Sequence, residues 1–267
     1  MENIRQKLIL AASPAQEAEC TAWPDSELAH MAYAVSPELR LMRLSGNPPG
    51  RGGLLYFALE QPPSGAVEPF LNQLRRECAA QRYRGVIADL PPRGCGQFAQ
   101  ALDRALAAQR LAVYLPEPYA QTAPHARILV STAVSGGTLK DRLESAVRRY
   151  GADRTVAALE RRAEDFPIPA RTGCGTPLTP EALNSLQRSI RASVYYSPEL
   201  CARYFTYLQG QHPHFVLFDD SETMRAKRKT AQEAGIAECL AAWTELRPQK
   251  IAFALCAADP FVRTYER

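Results

Sequence analysis

Short apolar runs alternate along this sequence with segments in which apolar residues recur at helical spacing. The clearest example is residues 83–92, YRGVIADLPP, where an apolar run ends in Asp89 and is followed shortly by two prolines. A continuous apolar run between helical patterns predicts a strand that is buried on both faces, as in a parallel sheet. Because proline cannot continue a strand ladder, we expect the strand to stop here, with Asp89 at its carboxyl end.

The same alternation covers most of the chain. Predicted strands occupy residues 7–13, 29–35, 54–60, 85–88, 111–117, 126–134, 155–160 and 236–243, and predicted helices occupy residues 66–81, 98–106, 138–150, 180–191 and 222–234. Repeated alternation of this kind indicates a parallel sheet, and about eight such units in 267 residues favour a closed barrel. We therefore predict the α/β class and a single (β/α)8 TIM-barrel domain over residues 1–267, with any active site at the carboxyl ends of the strands.

One stretch interrupts the alternation. Residues 161–213 combine a loop rich in proline and glycine, a helix and an aromatic-rich segment, which predicts a small inserted α+β lobe between the seventh strand and its helix. Asp219 and Asp220 precede the helix at 222–234, and we expect them to cap it. Residues 38–45 alternate between polar and apolar and predict a hairpin arm beside the second strand.

Composition narrows the classes of function. A hydrophobic content of 46% is typical of globular domains, and the basic residues behind the net charge of +4 are scattered, which disfavours a nucleic-acid surface. No apolar run is long enough to predict a membrane span, and the first residues lack the pattern of a signal peptide, so we expect a cytoplasmic protein. Seven cysteines at irregular spacings favour reduced thiols, and the four histidines lack zinc-site spacing, so neither a metal nor a cofactor is predicted.

The carboxyl-terminal part carries a recognisable series of motifs. Residues 204–243 contain a Y-F-x-Y element, an aromatic residue before two aspartates, a helix with a lysine, a glycine turn and a strand ending in tryptophan; the residues concerned are Tyr204, Phe205, Tyr207, Phe218, Asp219, Asp220, Lys227, Gly235 and Trp243. In these motifs the chain resembles family 18 glycoside hydrolases, and among them the branch of bacterial spore-cortex peptidoglycan hydrolases and related spore proteins. The resemblance implies a TIM barrel that binds N-acetylglucosamine-containing glycans such as peptidoglycan or chitin. It also implies a protein that is cytoplasmic or is assembled on the spore from the mother cell.

The catalytic motif of that family is degenerate here. Its acidic ladder, D-G-x-D-x-D-x-E, places Arg84, Ile87, Asp89 and Pro91 at the four acidic positions. In the family the last position is the glutamate that protonates the glycosidic oxygen, and proline has no titratable group. Loss of a general acid lowers a rate by roughly 10²- to 10⁴-fold. The family's M-x-Y element falls on residues 130–132, which lack its tyrosine, so the resemblance implies a pseudoenzyme with respect to the family's mechanism.

Five residues are candidates for a site at the predicted barrel mouth, namely Asp89, Glu60, Glu117, Trp243 and Tyr119. Asp89 is either a sugar contact or a carboxylate held by an arginine or a backbone N–H. Glu60 and Glu117 end the strands on either side of Asp89, and they are either part of a relocated acid pair or strand-end acids in solvent or in salt bridges. Trp243 is either the floor of a sugar site or a core residue. Tyr119, like Tyr56, is more typical of packing than of ligand contact.

Three functions remain open. The first is a glycan-binding protein that does not hydrolyse its ligand by the family's mechanism. The second is an active glycoside hydrolase that uses Glu60 or Glu117 together with Asp89. The third is a structural, spore-associated or partner-binding scaffold, whose barrel mouth would be closed and would leave no cleft on the order of a few hundred Å³.

Overall fold

The computed structural model describes residues 6–20, 26–44, 50–169 and 175–246. In chain order its strands are β1 (Lys7–Ala12), β2 (Ser26–His30), β3 (Tyr33–Val35), β4 (Leu41–Arg43), β5 (Leu54–Ala58), β6 (Gly85–Asp89), β7 (Ala112–Pro116), β8 (Arg127–Ser131), β9 (Thr155–Ala158), β10 (Ala163–Pro167), β11 (Thr176–Pro177), β12 (Tyr195–Ser197), β13 (Ala202–Gln209), β14 (His212–Phe218) and β15 (Glu238–Ala242). The helices are α1 (Glu17–Cys20), α2 (Val67–Gln81), α3 (Gly96–Ala107), α4 (Leu139–Tyr150), α5 (Pro180–Ile190), α6 (Ser221–Glu233) and α7 (Trp243–Leu246), and a short 3-10 turn spans Glu117–Tyr119.

Eight parallel strands close into a barrel in the order β1-β15-β9-β8-β7-β6-β5-β2. The helices α2, α3, α4 and α6 lie between successive barrel strands in the chain, so the predicted α/β class and (β/α)8 TIM barrel are confirmed. Local signals explain where the helices begin and end. Thr138 caps α4 by accepting a hydrogen bond from the Asp141 N–H, and Gly151 ends that helix at φ +90°.

Two elements differ from the prediction near the second strand. The predicted strand at 29–35 is divided, because β2 ends in the barrel at His30 and β3 begins a separate pairing at Tyr33. The hairpin arm, observed as β4, pairs antiparallel with β3 rather than with the barrel strand. The chain leaves the barrel at Met31, whose N–H still donates to the Ala12 carbonyl. Because residues 29–35 are almost uniformly apolar, nothing in the sequence indicates that the strand is divided here.

Two layers of core follow from the alternation of side chains along each strand. One set of positions fills the barrel interior, and its buried members are Ile9, Ala11, Ala29, Leu54, Ile87, Tyr114, Val156 and Leu240. The intervening positions, such as Leu10, Phe57 and Val86, pack outwards with residues of the helices. The helix α2, predicted at residues 66–81, packs there through its buried residues Phe70, Leu71, Leu74 and Cys78.

The amino-terminal end of the barrel is filled by paired ions around the Tyr114 hydroxyl. Tyr114 donates a hydrogen bond to Glu238 at 3.0 Å, and Glu238 is also paired with Arg127. On the other side Glu27 is bound by Arg84 and by Lys7, the latter at 2.8 Å. Burial would raise the pKa of Glu27, but the hydrogen bonds from Arg84 and Lys7 outweigh it and lower that pKa. Burial, with the charge of Glu238 adding to it, raises the pKa of Tyr114 to about 12.

An antiparallel sheet is inserted between β9 and α6. Its strand order is β11-β10-β14-β13-β12, and α5 packs on it through Leu183, which contacts a cluster with Phe205, Val216 and Phe218. The strand β14 lies inside this sheet and pairs Phe218 with Ala163, so the sheet continues beyond residue 213, where the predicted lobe ended.

Within the described ranges no helix has the length and hydropathy of a membrane span. Cys78, Cys95, Cys201 and Cys239 are buried free thiols, whereas Cys174 and Cys256 lie outside the described residues.

Candidate functional site

A cavity of about 380 Å³ opens at the carboxyl ends of the barrel strands. Its floor is the apolar interior of the barrel, including Ile87, Leu129 and Leu240. Four carboxylates stand on its wall, and they are Asp89, Glu117, Glu160 and Glu245. The other polar side chains of the lining are Tyr56, Ser131 and Arg142. This is the end of a parallel barrel at which active sites form.

Asp89 lies in the cavity wall as the last residue of β6. Because alternate residues of a strand share a face, Asp89 follows Ile87 on the side that faces the barrel interior. Its Oδ2 accepts a hydrogen bond of 3.0 Å from the hydroxyl of Tyr56 on β5. Burial, the negative charge of Asp89 and this hydrogen bond raise the pKa of Tyr56, so the phenol keeps its proton and acts as the donor. Tyr56, interpreted from the sequence as packing, therefore belongs to the site.

Glu117 also lines the cavity, at the start of the 3-10 turn after β7. Arg142 of α4 binds it through both terminal nitrogens, with Nη1 at 3.2 Å from Oε1. The Tyr150 hydroxyl donates to the same Oε1 at 3.1 Å. Of the two interpretations left open for Glu117, the structure shows the salt bridge, at a position that borders the cavity.

The remaining three candidates do not join Asp89 and Glu117. Glu60 is exposed beyond the end of β5, and Tyr119 is buried with its hydroxyl donating to the Pro91 carbonyl. Trp243 is 7% exposed, packs in the outer core layer, and donates its Nε1 hydrogen to Glu19 at 3.0 Å. None of the three is among the described residues that line the cavity. A sugar contact for Glu60, Tyr119 or Trp243 thus stays a prediction that this placement does not favour.

The orientation of Trp243 has a simple physical reason. The strand β15 ends at Ala242, whose side chain lines the cavity, and Trp243 begins α7. Successive side chains at the end of a strand point to opposite sides, so a residue directly after an inward-facing one points outwards. The sequence prediction extended the strand to residue 243, and it did not determine which of the two alternating sets of side chains faces the barrel interior.

Two acids of the cavity were not among the sequence candidates. Glu160 follows β9 and accepts a hydrogen bond from the Ser131 hydroxyl, and Glu245 of α7 accepts one of 3.2 Å from the backbone N–H of Arg161. Burial is the main reason why the pKa of Glu245 is raised, and the negative charge of Glu160 adds to it. The bond from the Arg161 N–H and the charges of Lys227 and Arg161 act in the opposite direction. Glu160 had the same signal as Glu60 and Glu117, an acid directly after an apolar run, whereas Glu245 had none.

A buried ion pair holds the segment that carries Glu160. Lys227 and Asp219 are each 1% exposed, and the Lys227 Nζ lies 2.6 Å from the Asp219 Oδ2 and 3.1 Å from the Glu160 carbonyl oxygen. Asp219 also accepts hydrogen bonds from the Arg162 N–H and the Thr223 hydroxyl. The predicted cap of α6 is therefore correct for Asp220, which forms a capping box with Thr223, and wrong for Asp219, which is an ion-pair partner.

The barrel has counterparts among proteins of known structure. No protein-family model and no curated protein matches the sequence. SleL, the spore cortex-lytic enzyme of Bacillus megaterium QM B1551, superposes with a TM-score of 0.64 at 15% identity over 94% of this chain and 74% of that chain. The chain has the fold of that enzyme.

Chitinases share the same fold. The chitinase of Chromobacterium violaceum ATCC 12472 superposes with a TM-score of 0.64 at 15% identity, over 93% of this chain and 97% of that chain. A mutant class V chitinase of Nicotiana tobaccum, solved in complex with NAG4, superposes with a TM-score of 0.59 at 11% identity, over 87% of this chain and 92% of that chain. The predicted resemblance to family 18 enzymes and their spore-cortex branch is thus confirmed in the fold.

Proposed function

We propose that the barrel mouth binds N-acetylglucosamine-containing glycans, such as fragments of peptidoglycan or chitin. The observation that carries this proposal is the cavity of about 380 Å³ at the carboxyl ends of the strands, with an apolar floor and a wall of carboxylates. Pockets for small ligands are concave, largely apolar and equipped with a few polar groups. A chain of the same fold has been solved in complex with NAG4, which supports a sugar as the ligand.

We further propose that the chain does not cleave its ligand by the mechanism of family 18 enzymes. Pro91 stands at the position of the family's general acid and has no proton to donate. Its carbonyl accepts a hydrogen bond from Tyr119, and Pro91 is absent from the described residues that line the cavity. Asp89, the one acid retained from the motif, is bound to Tyr56. These contacts support binding without the family's acid catalysis.

Hydrolysis by relocated acids is a second candidate, and one observation favours it. Glu245 lines the cavity and its pKa is raised by burial, as expected of a general acid. The pairs suggested by the sequence are less favoured, because Glu60 lies outside the cavity lining and Glu117 is held by Arg142. The scaffold hypothesis required a closed mouth, and a cavity of this volume disfavours it. Assembly on the spore from the mother cell, suggested by the resemblance, stays a proposal.

Calorimetric titration with N-acetylglucosamine oligomers and muropeptides, with product analysis of the same samples, tests this function. We expect binding, no cleavage, and an affinity at least ~10-fold lower in Asp89→Asn, which corresponds to about 1.4 kcal/mol. The matched control is Glu233→Gln, which alters an exposed carboxylate at the end of α6. Cleavage that is lost in Glu245→Gln would favour the second candidate. A protein that binds none of these ligands would contradict the proposal.

A further inference from the structure

The two hydroxyls of the cavity wall and the guanidinium of Arg142 already bind carboxylates of the same wall. Tyr56 and Ser131 each have one hydroxyl proton, and they donate to Asp89 and Glu160, respectively. Arg142 is held in a two-point ion pair with Glu117. Among the described residues that line the cavity there is no lysine, histidine, asparagine, glutamine or tryptophan. The side chains of the wall therefore offer a ligand mainly acceptors, the oxygens of carboxylates.

The negative charge of this wall is only partly compensated. The hydrogen-bond partners of Asp89 and Glu160 are hydroxyls, and that of Glu245 is a peptide N–H, so none of these bonds comes from a cationic side chain. Two cations, Lys227 and Arg161, act on Glu245 through their charges. Lys227 is itself paired with Asp219 at 2.6 Å. A cation placed in the cavity would therefore meet Asp89, Glu160 and Glu245, none of which forms an ion pair with another of the residues that the structure describes.

We propose that the cavity binds a sugar unit with a free amine, so that the glycan recognised contains de-N-acetylated glucosamine. This inference rests on the proposed function and narrows its ligand. A protonated amine donates three hydrogen bonds and accepts none, which matches a wall of acceptors. The carbonyl oxygen of an acetamido group needs a donor, and both hydroxyls of this wall donate to its own carboxylates, while the Arg142 guanidinium is held against Glu117. Hydrogen bonds between an ammonium and a carboxylate are also stronger than neutral ones.

The titration of Glu245 supports this choice. Its neighbours include Glu160, whose charge disfavours ionisation, and Lys227 and Arg161, whose charges favour it, and burial dominates the balance. The charge of Glu245 in turn acts on Tyr56, whose raised pKa keeps it neutral. A bound ammonium would favour ionised Glu245 and lower its pKa, so binding would release protons. Binding of the amine would accordingly weaken as pH falls through the raised pKa of Glu245.

The test compares two oligomers of equal length, one of glucosamine and one of N-acetylglucosamine, titrated into the protein by calorimetry. We expect the glucosamine oligomer to bind at least ~10-fold more tightly at low salt, and to lose this advantage at high salt because charges are screened. Repeating the titration in buffers of different ionisation enthalpy, at a pH where the free amine is already protonated, measures the protons exchanged on binding. We expect release with the glucosamine oligomer only.

Variants separate the charge of the cavity from general charge effects. Glu160→Gln should weaken binding of the glucosamine oligomer by several fold more than it weakens binding of the N-acetylated oligomer, because only the amine gains from the negative charge that the variant removes. Glu233→Gln makes the same change of charge at an exposed site of α6 and should leave the preference intact. Thermal unfolding of both variants confirms that they fold. Equal binding of the two oligomers, or tighter binding of the N-acetylated one, overturns this inference and leaves the proposed function standing. Failure of both oligomers and of muropeptides to bind overturns both.

Discussion

The two ends of the barrel contain similar acidic side chains in different surroundings. At the amino-terminal end Glu27 and Glu238 are paired with Arg84, Lys7 and Arg127, and these side chains close the barrel. At the carboxyl-terminal end Asp89, Glu160 and Glu245 accept hydrogen bonds from neutral groups and line an open cavity. A carboxylate that has its counter-ion within the fold contributes to stability. One that lacks it leaves interaction energy available for a ligand, usually at a cost in stability.

The largest loss of stability is expected at the buried ion pair of Asp219 and Lys227, which lies beneath the cavity. In Asp219→Ala the ammonium of Lys227 stays buried without its partner, and removing one member of a buried pair costs about 3–5 kcal/mol. Chemical unfolding monitored by circular dichroism measures this loss. Asp220→Asn is the control, because asparagine keeps the oxygen that caps α6, and it should change stability by less than about 1 kcal/mol. An Asp219→Ala protein within about 1 kcal/mol of the wild type would refute the role given to this pair.

A smaller loss is expected at the amino-terminal end. Glu27→Gln removes the charge that Arg84 and Lys7 bind, and it should lower the free energy of unfolding by about 1–3 kcal/mol. Because the pKa of Glu27 is lowered in the folded state, its stabilisation is present above the unfolded pKa and disappears as pH falls through the folded pKa. The difference between the wild type and the variant should therefore shrink in acid. A constant difference across the acid range would contradict this assignment, and ligand binding should not change.

The smallest change in the free energy of unfolding is expected at Glu245, where a substitution should stabilise the protein. Glu245→Gln keeps an oxygen for the Arg161 N–H but removes a charge that burial and Glu160 disfavour. The pKa of Glu245 is higher in the folded than in the unfolded protein. Its contribution to stability is therefore fully present below the unfolded pKa and is lost as pH rises through the folded pKa. The variant should match the wild type in acid and be more stable at neutral pH by up to about 1 kcal/mol. Unfolding curves at the two pH values measure this, and a destabilised variant at neutral pH would show that Glu245 is compensated within the fold.

Comparison of these regions also shows what sequence patterns resolve. The barrel was predictable because each strand is a short apolar run between amphipathic helices, and that signal does not depend on single positions. Asp89 and Glu117 were placed at the mouth because strand ends share one edge of a parallel sheet. Trp243 and Tyr119 depended on which side of the backbone a residue faces, and a difference of one residue reverses that side. Glu245 lies beyond its strand on a four-residue helix, where no periodic pattern exists.

A crystal structure of the protein with an oligomer that contains both glucosamine and N-acetylglucosamine tests the central claim most directly. The account predicts that the oligomer occupies the cavity at the carboxyl ends of the strands, with an amine nitrogen within hydrogen-bond distance of Asp89, Glu160 or Glu245. An oligomer bound elsewhere, for example on the inserted sheet, would contradict the assignment of the mouth as the glycan site. An oligomer in the mouth whose amines point away from all three carboxylates would contradict the preference for a free amine.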